Sequence, residues 1–346
     1  MAEKSTIIID TRMSAAPPMN LPTPDFPITP RENMKLILEH KKPLWVPVMF
    51  RENNLCLGAP ADMERPPLNE TGKDWFGTTW EFVEAVGAQM SPPDKHICPD
   101  PRDWREKLVF PDLDKVDFTE GKEQMAPRLD NTEKMNMYVM QNGMFERLLD
   151  ISDTAEIFVW LAEEPEDAIA YANAMADYKI KLVDKIIDNW LPVDFFALSD
   201  DWGTQKTTFI SPAMWERIFY QPTKRIADHI KSRGHYVNVH SCGKIETLVP
   251  FIATFADLWE GQSMNDKAAL SRKYGDRLAF TVNLDQYLLN DPDVTEDQIV
   301  KAVRHAIDTV GENGGMIMAS MGPNEFVAST VINETFAYSR KKYAGN

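Results

Sequence analysis

Hydrophobic and polar positions settle into a regular rhythm in the second half of the chain. Over residues 165–190 apolar side chains recur at helical spacing, with Ala172, Met175, Leu182 and Ile186 on one face. Glu166 and Asp167 occupy the first turn, where acids suit the helix dipole, and Pro192 follows as a stop. The apolar run 193–198 reads as a strand. Ser211-Pro212 then opens another helix, a capping hydroxyl followed by proline at the first helical position. Trp215, Phe219, Ile226 and Ile230 form its inner face. The pattern repeats, with strands at 235–240, 256–259, 278–282 and 314–319 and helices at 245–255, 267–274, 295–310 and 323–338. Such alternation implies right-handed crossovers and a parallel sheet. At this length a closed (β/α)8 TIM barrel is the natural architecture, with an open doubly wound sheet as the alternative. No strand is followed by a dinucleotide-type glycine pattern.

The first half is less regular. Residues 12–30 carry six prolines and read as an extended arm, so residues 1–30 form an N-terminal extension and 31–346 the barrel. Pro30 starts a short helix, and 44–50 looks like a strand whose Pro47 argues against full pairing. Residues 51–130 are rich in Pro, Asp and Trp and predict long loops and short helices, the kind that build a binding surface. Within them Trp75, Phe76 and Trp80 either pin a loop to the core or wall a pocket.

Charge and cysteine usage narrow the function classes. The formal net charge of −16, with no long basic run, disfavours a nucleic-acid groove. Three cysteines cannot make a disulfide scaffold, which points to a reducing, cytoplasmic setting. The first residues lack a signal-peptide pattern, and no apolar run is long enough to span a bilayer. The 18 methionines read as core filler or as a soft pocket lining.

A parallel barrel places its chemistry at the C-terminal ends of its strands. The predicted exits carry Asp200-Asp201-Trp202, His240-Ser241-Cys242-Gly243, Trp259-Glu260, Asn283-Leu284-Asp285 and Ser320-Met321. Residues two apart on a strand point the same way, so His240 and Cys242 can converge on one ion, and both are good zinc ligands. Glu260 or Asp200 is the expected third ligand. The alternative is that the pair is simply core. Asp200 and Asp201 form an acidic pair in which burial and repulsion can raise one pKa for acid catalysis. Asn238 and Asn283 are placed to orient a substrate.

Asp201-Trp202-Gly203-Thr204-Gln205, Ser211-Pro212-x-x-Trp215, His240-Ser241-Cys242-Gly243, Asn283-Leu284-Asp285 and the N-terminal Thr29-Pro30-Arg31-Glu32 resemble the uroporphyrinogen decarboxylase superfamily. So does Gly314-Gly315-x-Ile317 before a last helix. The resemblance implies a single (β/α)8 barrel and one of two chemistries. True decarboxylases act on a tetrapyrrole without metal, using paired N-terminal arginines; here only Arg31 and Arg51 lie in that region. The other branch comprises cobalamin-dependent methyltransferases, many of which hold zinc with His-x-Cys and a later Cys. His240 and Cys242 match the first two positions, but Met321 or Gly322 stands where the later Cys would be. The DWGTQ and HSCG motifs are closer to the demethylase-like branch.

The resemblance therefore implies a methyltransferase that moves a methyl group from a methoxylated or related small donor to cob(I)alamin on a corrinoid protein. Zinc would sit on His240, Cys242 and Glu260. Asp200, Asp201, His240 and Asn283 would be catalytic, and Trp75, Phe76, Trp80, Trp202, Asn238, Trp259 and Met321 would line the pocket. A metal-free decarboxylase or lyase on the same barrel is the second reading. A corrinoid- or tetrapyrrole-binding protein without activity is the third.

Overall fold

The structure is a computed structural model that describes residues 4–7, 19–57, 63–67, 70–85, 88–119, 122, 126, 129, 132–320 and 322–345. Its strands, in chain order, are β1 (Lys4–Ile7), β2 (Met19–Pro22), β3 (Asn53–Leu57), β4 (Gly72–Lys73), β5 (Thr79–Val83), β6 (Ala88–Met90), β7 (Met135–Met140), β8 (Phe195–Ser199), β9 (Tyr236–Ser241), β10 (Leu258–Gly261), β11 (Ala279–Val282) and β12 (Met316–Met318). Seven of them form one sheet in the order β12-β11-β10-β9-β8-β7-β3. The pairs β8–β9, β10–β11 and β11–β12 are parallel. From β7 to β12 each strand lies beside its predecessor, the α/β arrangement that the alternating pattern predicts. No helix among the described residues is long and apolar enough to cross a membrane.

The chain divides into two compact units. The first comprises Met1–Leu55, Asn131–Met137 and Gly243–Asn346. Here the expected strand at 44–50 is reduced to a single bridge, Val48 to Met318. The reason is where its backbone donors go. Pro47 has no N–H, Val46 N–H donates to Ser339 Oγ (2.9 Å), and Val48 N–H donates to the buried Glu52 carboxylate (2.9 Å). The Pro47 carbonyl enters the ladder, accepting from Met318 N–H (2.8 Å). Met49–Glu52 then turns into one helical turn, and the strand begins at Asn53 instead. Within the N-terminal arm β2 pairs antiparallel with β1. The helix Pro30–Leu38 starts as expected, with Thr29 and Glu32 closing a capping box.

The second unit comprises Cys56–Asp130 and Tyr138–Cys242. Where long loops were expected, β4, β5 and β6 make a small antiparallel sheet. Two helices that the sequence reading does not include, Met144–Ile151 and Thr154–Glu163, precede the long helix Pro165–Asn189. The helical run from Pro212 to Ser232 widens to a π-turn over Glu216–Tyr220. Pro222 accounts for it, since a proline inside a helix has no N–H to return to the carbonyl four residues back.

Candidate functional site

The site lies in the second unit, at the ends of β8 and β9. Ser199 pairs with His240 and Ala197 with Asn238, so Asn238 and His240 face the same way, and Cys242 continues that face one step on. Pairing persists beyond β8, for Asp200 N–H donates to the His240 carbonyl (3.1 Å). Alternation therefore puts Asp201 on the His240 face and Asp200 on the other.

Asp201, His240 and Cys242 come together. Cys242 Sγ is 3.6 Å from His240 Nε2, and His240 Nε2 is 3.9 Å from Asp201 Oδ1. One ligand atom from each of the three lies within 4.8 Å of the others, and all three residues are half-buried. Cys242 N–H donates to Asp201 Oδ1 (2.6 Å), which fixes the carboxylate against the thiol's own backbone. Gly243 follows with φ +82°, a left-handed turn that a side chain would strain. With zinc–sulfur and zinc–nitrogen bonds of about 2.3 and about 2.0 Å, a tetrahedral site spaces sulfur and nitrogen about 3.5 Å apart, close to this His–Cys edge of 3.6 Å. Burial raises the Cys242 thiol pKa, and the hydrogen bond with His240 works against that rise.

Asp200, one of the two expected third ligands, stands outside the Asp201–His240–Cys242 group. Its carboxylate accepts from Phe145 N–H (3.1 Å) and Glu146 N–H (2.8 Å), the free donors at the start of the Met144–Ile151 helix. The residue before that helix, Gly143, has no side chain to do this. A Cβ on Gly143 would overlap Asp200, so the glycine is what admits the carboxylate. Asp200 also borders a small cavity of about 30 Å³ with Leu198, Met144, Trp202 and Ile226, room for a water molecule and not for a substrate.

Glu146 and Asp150, one turn apart on the same helix, extend the acidic group, and the sequence reading missed both. Glu146 is held up at about 8 by burial and by repulsion from Asp201, Asp200 and Asp150. Asp150 stands at about 7, raised by burial against the pull of Arg147 and Arg65. Asp200 stands at about 6, raised by burial while the two N–H donors oppose it. Burial is the first cause of all three shifts, with mutual repulsion among the carboxylates adding to it.

These shifts predict how stability responds to pH in metal-free protein. An acid whose pKa is raised on folding keeps a proton that the unfolded chain gives up, so stability is highest below the unfolded value and is lost as pH rises through the folded one. The window runs from about 4 to about 8. Buried Glu52, raised to about 7, acts in the same direction. Lys267, lowered to about 7 by burial, opposes it only above that pH. The thermal midpoint of the chelator-treated protein should be higher at pH 5.5 than at pH 8; calorimetry showing a rise over that interval would contradict the assignment.

The remaining expected site residues fall elsewhere. Glu260 belongs to β10 in the first unit and is not part of the ligand group found among the described residues. Asn283 is half-buried after β11, and Asn238 is fully buried on β9. Met321 lies outside the described residues. The aromatic residues expected as pocket walls are largely packing. Trp259 is buried with its ring over Gly261, edge-on to Phe280 (5.9 Å) and beneath Lys267 (6.0 Å). Trp202 packs against Trp215 (4.9 Å). Trp80 donates from its indole N–H to Asp74 (3.0 Å), and Phe76 lies under the Arg147 guanidinium (4.3 Å). Trp75 is half-buried against Phe118 (6.1 Å).

A model of the uroporphyrinogen decarboxylase (URO-D) family matches residues 144–322, just over half of the chain. The chain belongs to the uroporphyrinogen decarboxylase family. The family region holds Asp201, His240 and Cys242 together with Glu146, Asp150 and Asp200, whereas Trp75, Phe76 and Trp80 lie outside it. No curated protein matches at a significant level. Among solved structures, a Listeria monocytogenes protein described as a candidate vitamin-B12-independent methionine synthase is 12% identical over 65% of this chain and 68% of its own, with a TM-score of 0.41. Xylanase 10B of Thermotoga maritima is 11% identical over 92% of this chain and 100% of its own, at 0.43. At such scores neither likeness bears on function. The fold and the family suggest an enzyme.

Proposed function

We propose that this URO-D family member is a metal-dependent methyltransferase that takes a methyl group from a small methoxylated donor and passes it to cob(I)alamin carried by a corrinoid protein. The observation that supports this over metal-free decarboxylation is the convergence of Asp201, His240 and Cys242. Nitrogen, sulfur and carboxylate oxygen meet at metal-binding spacing, with the acid standing in for the absent later cysteine. The arginines that a tetrapyrrole decarboxylase would need are otherwise engaged. Arg51 is buried and bonded to Thr23 (2.6 Å), and Arg31 donates to the Lys134 carbonyl (3.1 Å). In this reading the fold closes as an eight-stranded barrel, with 46–48 in the eighth place.

His240, Cys242 and Asp201 would hold zinc, which supplies Lewis acidity toward an ether oxygen when bound. The chain's own groups do the rest. Asp201 accepts the Cys242 N–H and so orients thiol and carboxylate together. Asp200 holds the Met144–Ile151 helix so that Glu146 stands beside Asp201. In the transfer the methyl–oxygen bond breaks and its electron pair stays on oxygen. That oxygen takes a proton from a neighbouring acid, the place that Glu146 beside Asp201 would fill.

Elemental analysis of protein purified without added metal should find about one zinc per chain. Chelation should stop methyl transfer from methoxylated aromatics to free cob(I)alamin, and zinc should restore it. Metal-free protein with chelator-insensitive turnover would shift the assignment to a lyase.

A further inference from the structure

Arg65, in the second unit, lies within electrostatic reach of both Glu146 and Asp150. Its guanidinium is fixed from two sides. It lies 4.4 Å over the ring of Trp80, whose indole N–H is tied to the buried Asp74 carboxylate (3.0 Å). Its Nη2 donates to the Gln89 carbonyl (2.9 Å), and the Gln89 side chain is held in turn by the Pro67 and Glu70 carbonyls (2.6 and 2.5 Å).

Among the described residues the Gln89 contact is the guanidinium's one hydrogen bond. The Arg65 Nε–H is buried without an acceptor, and Asp150 Oδ2 is buried without a donor. Buried polar atoms are nearly always paired, so an orphaned donor near an orphaned acceptor points to a molecule that meets both. A guanidinium fork is best matched by a flat carboxylate, and neither Glu146 nor Asp150 fills that role here. Asp150, raised to about 7 by burial, can offer a carboxyl hydrogen to the same anion.

The position relative to the candidate centre is also defined. Glu146 feels Asp201 as well as Arg65. Asp150 follows Glu146 by four residues on the Met144–Ile151 helix, one turn or about 6 Å. Arg65, Glu146, Asp150, Asp201, His240 and Cys242 are all half-buried, so a small molecule can reach them.

We propose that Arg65, with Asp150, anchors a carboxylate on the methyl donor and so sets specificity for donors whose acid group stands about one helical turn, about 6 Å, from the ether oxygen. This rests on the methyl-transfer reading. With its carboxylate on Arg65, such a donor brings the ether oxygen to Glu146 and the Asp201–His240–Cys242 group. A benzene ring carrying the two groups at opposite positions has the required span.

The test compares 4-methoxybenzoate with its neutral amide, 4-methoxybenzamide, as donors to free cob(I)alamin. Wild-type kcat/KM should favour the acid by about tenfold or more, the worth of a charge-assisted contact. Arg65→Gln should bring this ratio close to one, through KM more than kcat. Arg65→Lys, which keeps the charge but not the fork, should restore part of it. Partial unfolding lowers both donors alike and leaves the ratio as it was, so a ratio that Arg65→Gln does not change overturns the anchor. A wild-type ratio near one does the same. Calorimetry with benzoate, which has no methyl group to give, reads the anchor apart from the reaction. The wild type should bind it, and Arg65→Lys should bind it more weakly. No binding to the wild type, or an affinity that Arg65→Lys leaves unchanged, overturns the anchor alone. Binding that depends on Arg65, without methyl transfer from any donor, overturns the reaction and leaves the carboxylate site standing.

Discussion

Replacing His240 or Cys242 with alanine is expected to lower zinc affinity by more than about a hundredfold and to take methyl transfer down with it. Even the outer partners of a metal ligand are worth about 10- to 100-fold, and these two residues are proposed as ligands themselves. Asp201→Asn is the graded companion. It keeps an oxygen for the Cys242 N–H but removes the negative charge, so affinity should fall by about tenfold while the backbone geometry survives. Competition with a chromogenic chelator reads the affinity, and the cob(I)alamin assay reads the rate. Retention of both metal and turnover in His240→Ala would leave the proposed centre without support.

The second large effect concerns stability. Arg147 and Asp74 are a fully buried ion pair at 2.5 Å. The guanidinium also donates to the Glu64 carbonyl (2.8 Å) and lies over Phe76. Asp74 in turn accepts from Trp80 and from the Phe76 and Thr78 N–H groups. Arg147→Met strands the Asp74 carboxylate in the interior, a loss of about 3–5 kcal/mol. The thermal midpoint should fall by about 4–7 °C. Adding Asp74→Asn should recover part of the loss, because the uncompensated charge is the larger share of it. A single variant that melts with the wild type would show that the pair contributes little.

Much of the α/β plan is readable from the chain. The Pro165–Asn189 helix runs for seven turns of sustained periodicity, and the Thr295 and Ser211 caps mark their helices directly. The expected 256–259 strand sits two residues later, as Leu258–Gly261, because Ala256 is buried ahead of it and carries apolar signal of its own. β3 was hidden because Asn53-Asn54 does not look like strand. Thr154–Glu163 was hidden because both its faces are apolar, so no helical period stands out.

The site divides in the same way. The His240–Cys242 spacing is a local rule and survives into the structure. The choice between Asp200 and Asp201 depends on which face of β8 each falls, and a one-residue change in register reverses it. The tryptophans are ambiguous in sequence because a buried ring and a pocket wall have the same composition. Glu146 and Asp150 show a legible one-turn spacing, but only once their helix is known to exist.

The trans-cap on the Met144–Ile151 helix has a consequence for the order of assembly. Its first free donors wait for a carboxylate 54 and 55 residues further along the chain. The helix is only eight residues long, and isolated helices shorter than about 12 residues are marginal in water. It therefore cannot mature as an autonomous local element early in folding. It should lock only when the β8 segment arrives, so that loosening of β8 frays the helix start in the same cooperative step.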